Sequence, residues 1–441
     1  MSIGLRMSMV VPLGFAFFLD NPCFAQDPGG LTTEINQRAA NLESKVIAWR
    51  RDIHQNPELG NREFRTSKLV ADHLRSLGLE VKTEVAHTGV VAILRGGKPG
   101  AVVALRADMD ALPVTEQTNI PFASKAKGTY EGKEVGIAHV CGHDAHTAIL
   151  MGVAEILASM RQELPGTVKF IFQPAEEGPP AGEEGGAALM IKQGVLDNPR
   201  PEAIFGLHLT NRFEIGKIGY RPGPAMASAD NLRIVVRGRG THGARPWAGV
   251  DPIVVASQIV LGLQTIASRQ VDVTLEPSVI SIGSIQGGNR FNVIPDNVEM
   301  AGTIRTYNEA MKKDIHERIR NTAEMIAKSA GASAEVTIES PYKVTVNDER
   351  LTERMLPTLR KVAGMQNVHL DQKSPAAEDF SYYQEIIPGL FFYIGITPKG
   401  TDPKSTAPNH SPRFYVDEAG LIVGVKALAQ LSVDYLQAAN R

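Results

Sequence analysis

The chain has 441 residues, 43% of them apolar, more than one core of ~250–300 residues absorbs, so two domains are expected and intrinsic disorder is excluded. Charged residues make up 21%, and 46 Lys plus Arg against 48 Asp plus Glu leave a formal net charge of -2. That balance offers no basic footprint for nucleic acid or anionic lipid and points to a small-molecule partner. The 41 Gly and 27 Pro are spread without a repeat, and two cysteines exclude a disulfide framework.

The chain opens on Arg6, an apolar run over residues 7–19 and a more polar piece ending Cys23-Phe24-Ala25. This layout matches a secretory signal peptide, whose apolar region runs ~7–15 residues, and is too short for a spanning helix of ~20. Residues 1–25 are therefore read as a signal cleaved after Ala25, and the protein as exported, periplasmic or secreted. An uncleaved anchor is the alternative, while Asp20, three positions before Cys23, speaks against a lipoprotein. No later segment approaches membrane length, so no stable membrane insertion is expected. After cleavage Cys141 would stand alone, an idle, reactive or metal-ligating thiol.

From residue 31 to about 220, helical spacing (42–56, 65–77, 147–160) alternates with short buried-strand runs (102–105, 168–172). Alternation of this kind implies an α/β layer with a largely parallel sheet. Residues 231–236, 251–268, 278–285, 298–306, 310–329 and 334–339 then read as β-α-β-β-α-β, the ferredoxin-like pattern. After Pro341 the α/β character returns, with a helix at 349–363, a strand at 389–394 and a closing helix at 417–436. The expected fold is α/β in two domains, one of 31–220 with 341–441 and a second, 221–340, inserted into it.

Polar chemistry is densest at His139-Val140-Cys141-Gly142-His143-Asp144-Ala145-His146. Thiolate beside imidazole suits zinc, or manganese or cobalt in a mixed shell, and no second ligand pair follows at a zinc-finger spacing. Asp144 reads equally as a helix cap and as a carboxylate orienting a ligand. Next, the strand Phe170-Ile171-Phe172-Gln173 delivers Glu176 and Glu177 at its C-terminal end, where open α/β sheets place their sites. One such carboxylate can bind metal while its neighbour holds the proton of an attacking water. The run 203–207 ends in His208, and His410 lies in a Pro-rich loop. Each histidine taken singly is more often structural than a ligand. Together with Asp108 and Asp110, spaced to share one side of a strand, they form a set at successive strand ends.

The motifs Ala107-Asp108-Met109-Asp110-Ala111-Leu112-Pro113, Cys141-Gly142-His143-Asp144-Ala145-His146, Gln173-Pro174-Ala175-Glu176-Glu177-Gly178 and Asn292-Val293-Ile294-Pro295-Asp296 resemble those of the M-twenty metallopeptidases. Within that family they are similar to the amidohydrolase branch of hippurate, N-acyl-amino-acid and auxin-conjugate hydrolases. The resemblance runs from about residue 42 to the C-terminus. It implies a zinc-exopeptidase-like catalytic domain with an inserted lid and dimerisation domain. It also implies two divalent ions (Zn, Mn, Co or Ni) held by Cys141, His143, Glu177, His208 and His410, with Glu176 as general base and acid. Carboxypeptidase and desuccinylase members are similar but carry His where Asp108 stands and Asp at other ligand positions. The bridging residue and any metal role for Asp108 are therefore left open, and Asp110 reads as an orienting carboxylate.

In the inserted segment, Gly238-Arg239-Gly240-Thr241-His242-Gly243-Ala244 comes close to a dinucleotide fingerprint. It fails in context, because Arg245-Pro246-Trp247 intervenes before any helix and no acidic residue lies between Asp251 and Asp272. The resemblance instead makes His242 a stabiliser of the tetrahedral oxyanion, often in the partner subunit's site, and Asn292 a substrate contact of the same lid. Arg305 is a candidate for the substrate carboxylate, or equally a strand-edge surface arginine. Glu378 is a further contact, or caps the next helix. The expected activity is hydrolysis of N-acyl or N-aroyl amino acids to a carboxylic acid and an amino acid by a homodimer. A carboxypeptidase or dipeptidase is the alternative, and a non-catalytic exported binding protein a remote one.

Overall fold

The computed structural model describes residues 30–439; the signal read at 1–25 lies outside them. Two helices lead, α1 (Gly30–Gln55) and α2 (Phe64–Ser76), then strands β1 (Glu80–Val85), β2 (Gly89–Arg95) and β3 (Lys98–Asp108), and helix α3 (His143–Ser159). Strands β4 (Pro165–Gln173), β5 (Ala203–Glu214) and β6 (Ile218–Tyr220) follow. Next come β7 (Ala229–Arg237), α4 (Pro252–Thr265), β8 (Ser278–Gln286), β9 (Asn297–Thr306), α5 (Glu309–Ser329) and β10 (Ser333–Tyr342). The chain closes with α6 (Glu349–Ala363), β11 (Val368–Leu370), β12 (Gly389–Thr397) and α7 (Leu421–Ala439).

An eight-stranded sheet runs β1-β2-β4-β3-β5-β12-β6-β11. Its centre, β4-β3-β5-β12, is parallel, while β1, β2 and β4 pair antiparallel, as do β12 and β6. The mixed α/β fold with a large, mainly parallel sheet is thus present. Its central strands are apolar on both faces because helices cover both: Leu105, Phe170, Phe172 and Phe205 pack with α1, α3 and α7, while Ile171, Ile204 and Phe391 pack on the other side. Each fully buried side chain of this size contributes roughly 1.5–3 kcal/mol. Helix α7 is the one helix among the described residues long and apolar enough to cross a membrane, and most of its apolar stretch is buried in this core.

A second, four-stranded antiparallel sheet runs β8-β9-β7-β10, with α4 and α5 contributing Val255, Ile259, Ile315 and Ile319 to its own core. The chain passes to it and returns through two short strands, Gly223–Met226 and Thr345–Asn347, which pair with each other.

Two boundaries differ from expectation in ways that matter. The helix expected from residue 147 begins at His143, because Gly142 takes φ +105° and turns the chain straight into it. The antiparallel strands β1 and β2 were not expected, since their alternation is short and broken by Ala86 and His87, both at positive φ.

Candidate metal centre

The parallel strands end together on one side of the large sheet. Period two along β3 sets Arg106 and Asp108 on one face, and both are buried. Asp108 accepts from Arg106 Nη1 at 2.7 Å and from His146 Nδ1 at 2.7 Å, so both its oxygens are engaged. His146 Nε2 in turn accepts from the Leu209 N–H at 2.9 Å, which leaves this imidazole no nitrogen for a ligand.

Asp110 reaches the ligand candidates themselves. Its backbone carbonyl and Oδ1 take His143 Nδ1 at 2.9 and 3.2 Å, and its Oδ2 takes the Glu177 N–H at 2.9 Å. One carboxylate therefore touches two of the expected ligands. Asp144 has no such contact with a ligand candidate. It accepts from Arg50 Nε and pairs with His54 Nδ1, both at 2.8 Å, and neither of these belongs to the expected ligand set. Nor does it cap α3, whose N-cap is Gly142.

The structure brings Cys141, His143, Glu177, His208 and His410 together. Five groups among the described residues have ligand atoms within 4.8 Å of one another: Cys141 with His143 and His208, Cys141 with Glu177 and His410, His143 with Glu176 and Glu177, Asp108 with His143 and His146, and Glu176 with Glu378 and Asp379. The first two share the thiol. His208 Nδ1 lies 2.7 Å from the Leu209 carbonyl and its Nε2 3.4 Å from Cys141 Sγ. His410 Nε2 lies 2.9 Å from Glu177 Oε1, and its loop is pinned by His410 N–H to Val140 O at 2.7 Å and Asn409 Nδ2 to Cys141 O at 2.9 Å. Ala175 and His410 both hold positive φ without being glycine, at +50° and +69°. Backbone strain of this kind costs roughly 1–3 kcal/mol and persists where surrounding bonds over-determine it.

Electrostatics point the same way. Burial and then the nearby Glu378 and Glu177 push the Glu176 carboxyl well above its usual range. Burial and Glu177 push the Cys141 thiol up, and burial and His146 hold His208 well below an ordinary histidine. His143 Nε2 is buried with no hydrogen-bond partner among the described residues. A neutral imidazole, an orphaned ring nitrogen and a thiol among carboxylates fit a divalent cation, which would deprotonate the thiol and fill the vacant lone pairs.

Above the cluster lies a cavity of about 300 Å³ lined by Glu176, Glu177, His208, Arg305, Tyr342 and Glu378 among others. Arg305 thus faces the cavity. Glu378 also reaches it, but its carboxylate accepts from Arg106 Nη2 at 2.9 Å and from the Phe380 N–H at 3.0 Å, so its strongest partner is a buried guanidinium rather than free space. His242 and Asn292 do not line this cavity. His242 is exposed on a short strand, its Nδ1 accepting from Ala244 N–H at 3.0 Å, and the Gly243 N–H donates to Asn292 O at 2.8 Å.

Four neighbours escaped the sequence. Tyr342, on β10, donates to the Glu176 carbonyl at 2.8 Å. Arg106 anchors Asp108, Glu378 and Asp379 at once. Arg212 and Tyr393 line the cavity wall. The one available signal was Arg106, a charge inside the apolar run that precedes Asp108.

A cluster of thiol, imidazole and carboxylate at the ends of parallel strands, beside a buried carboxyl of raised proton affinity, defines a metal-dependent hydrolase. The family model described as Peptidase family M20/M25/M40 matches residues 104–434. N-acetylcysteine deacetylase of Bacillus subtilis (strain 168) is 41% identical over 90% of this chain and 98% of its own length. Thermostable carboxypeptidase 2 of Saccharolobus solfataricus is 39% identical over 92% of this chain and 99% of its own. The crystal structure of a Bacillus subtilis protein described as a dinuclear metal binding peptidase from the M20 family matches with a TM-score of 0.75 at 37% identity, covering 90% of this chain and 99% of that one. The chain belongs to the M20 peptidase family, and its general activity is amide or peptide hydrolysis.

Proposed function

We propose that the protein cleaves the amide bond of N-acyl or N-aroyl amino acids, releasing a carboxylic acid and a free amino acid. The observation that carries this is the pairing of two ligand groups sharing Cys141 with an adjacent carboxyl, Glu176, that no basic side chain among the described residues engages by a direct hydrogen bond. Cys141, His143, Glu177, His208 and His410 would hold the two divalent cations. When bound, two divalent ions supply Lewis acidity and lower the pKa of water at the site.

The chain's own residues supply the rest. Glu176 takes the proton of the attacking water and returns it to the leaving nitrogen. Its position is held by the Tyr342 hydroxyl on the Glu176 carbonyl. Arg305 pairs with the free carboxylate of the amino-acid moiety, since a guanidinium matches it bidentately. Glu378 raises the proton affinity of Glu176 through its nearby charge. His242 serves the oxyanion.

On this reading residues 221–340 form the ferredoxin-like lid, inserted into a catalytic domain of 31–220 and 341–441. His242 and Asn292, which do not line this subunit's cavity, act on that of a second copy. In support, β8 is an edge strand of its sheet whose Val279 and Ile285 are exposed, as are Val254 and Leu261 of α4. Export by residues 1–25 rests on the sequence pattern alone.

The test is a panel of N-acyl amino acids, N-blocked peptides and dipeptides with metal-loaded protein. Turnover of acyl amino acids with metal retained but turnover lost in Glu176→Gln is expected; near wild-type turnover by that variant rejects the base assignment. A carboxypeptidase, favoured by the 39% identity to a relative of that name, would prefer the blocked peptides instead.

A further inference from the structure

On β5, His208, Thr210 and Arg212 all line the cavity, and the pairing of β5 with β12 is irregular between Thr210 and Glu214, where Arg212 lies. Tyr393 stands directly opposite His208 on β12. The Arg212 guanidinium lies 4.6 Å from the Tyr393 ring centroid and donates through Nη2 to Asp371 at 2.6 Å, so it is fixed by stacking on one side and by a buried carboxylate on the other. Tyr393 is 5% exposed and lines the cavity, and its buried hydroxyl has the Arg212 guanidinium as its polar neighbour.

Two of the three carboxylates in the cavity already lie against basic partners. Glu378 is held by Arg106 and Glu177 lies against His410. Arg305 donates to its neighbour's carbonyl, Ile304 O, at 3.2 Å. Two guanidiniums therefore line a space of about 300 Å³ in which Glu176, assigned above to proton transfer, is the carboxylate that no basic side chain among the described residues engages by a direct hydrogen bond.

We infer that Arg212 and Tyr393 form a second anion subsite, which takes a carboxylate of the substrate additional to the one held by Arg305. The inference rests on the N-acyl amino acid reading and narrows it to amides with two carboxylates. The second carboxylate is carried either by the acyl chain or by the amino-acid side chain. Asp371 occupies one nitrogen of the Arg212 fork, and the fork's planar geometry suits a carboxylate better than a neutral carbonyl.

Two matched pairs separate the sources: N-succinyl-L-alanine against its succinamoyl analogue, and N-acetyl-L-glutamate against N-acetyl-L-glutamine. At least one dicarboxylate is expected to exceed its neutral isostere roughly tenfold or more in kcat/KM. The pair that shows the preference names the source. R212M strips Asp371 of its partner, so R212K, which keeps the ion pair and gives up the fork, is measured beside it. In both, the ratio within the preferred pair falls toward one, and the Kd values of the intact substrates on Glu176→Gln protein follow the wild-type order. Equal rates within both pairs in the wild type, or a ratio unmoved in both variants, overturns the subsite. Failure to cleave any N-acyl amino acid overturns the underlying reading instead.

Discussion

Burial and then the nearby Asp110 push the Glu63 carboxyl up to about 8, and this buried group accepts from the Ala175 N–H at 2.9 Å and from the Thr88 hydroxyl. Ala175 sits in the left-handed region one residue before Glu176, so Glu63 fixes the backbone from which the proposed base projects. Glu63→Ala should lower kcat about 10–100-fold through misplacement while metal stoichiometry is kept; unchanged kcat would remove Glu63 from this role. Arg106 is a harsher case, because Arg106→Met leaves Asp108, Glu378 and Asp379 buried without their shared counter-charge. A loss of about 3–5 kcal/mol in urea unfolding is expected, and a loss below about 1 would mean that the cluster contributes little net stability. Lys169 supplies a pH test away from the metals. Burial lowers its ammonium to about 8, although it donates to the Val195 and Asp197 carbonyls. Between that value and its unfolded pKa the unfolded chain binds the extra proton, so stability rises with pH over roughly 8 to 10. The penalty at neutral pH is up to about 3 kcal/mol. Against Lys169→Met, wild-type protein should gain stability across that window, and a flat difference in urea midpoints counts against it.

At the level of elements, the site depends on where strands stop and α3 starts. Gly142 at φ +105° delivers Cys141 and His143 to the same corner, and a Cβ there would lie 3.3 Å from Leu209 Cδ1. Gly142→Ala therefore meets both backbone strain and a tight contact, with an expected cost of roughly 1–3 kcal/mol and a weaker grip on metal. Calorimetry of apo and loaded protein checks both, and an unshifted melting temperature would show that the turn tolerates a side chain. The same geometry explains what the sequence disclosed. Residues at the ends of apolar runs, such as Glu176, Glu177 and His208, were legible because a strand's period and its end are local properties. Arg212, Tyr342 and Tyr393 were not, since each acquires its meaning from a partner more than a hundred residues away, as Arg212 does from Asp371 and Tyr342 from Glu176. His242 and Asn292 were legible only through a motif, and neither lines the cavity of its own chain.

For the whole molecule, the two sheets touch through few direct ties. Lys373, beside the cavity-lining Ser374, pairs with Glu276 and lies over the Tyr307 ring, joining the loop after β11 to the elements around the second sheet. That sheet also leaves Phe291 and Trp247 exposed near His242 and Asn292, at 96% and 80%. Apolar groups of this size so exposed are unusual on a lone soluble surface. If the second copy covers this face and lends His242 to the cavity, each active centre needs Glu176 from one subunit and His242 from the other. Glu176→Gln and His242→Ala homodimers would then each be inactive, for different reasons. After mixing and exchange of subunits in equal amounts, half of the dimers are mixed, and each of those has one centre with both residues intact, so about a quarter of wild-type activity per subunit returns. A mixture that stays as inactive as its parents, while sedimentation shows that the subunits have exchanged, would mean that His242 serves the cavity of its own chain or none.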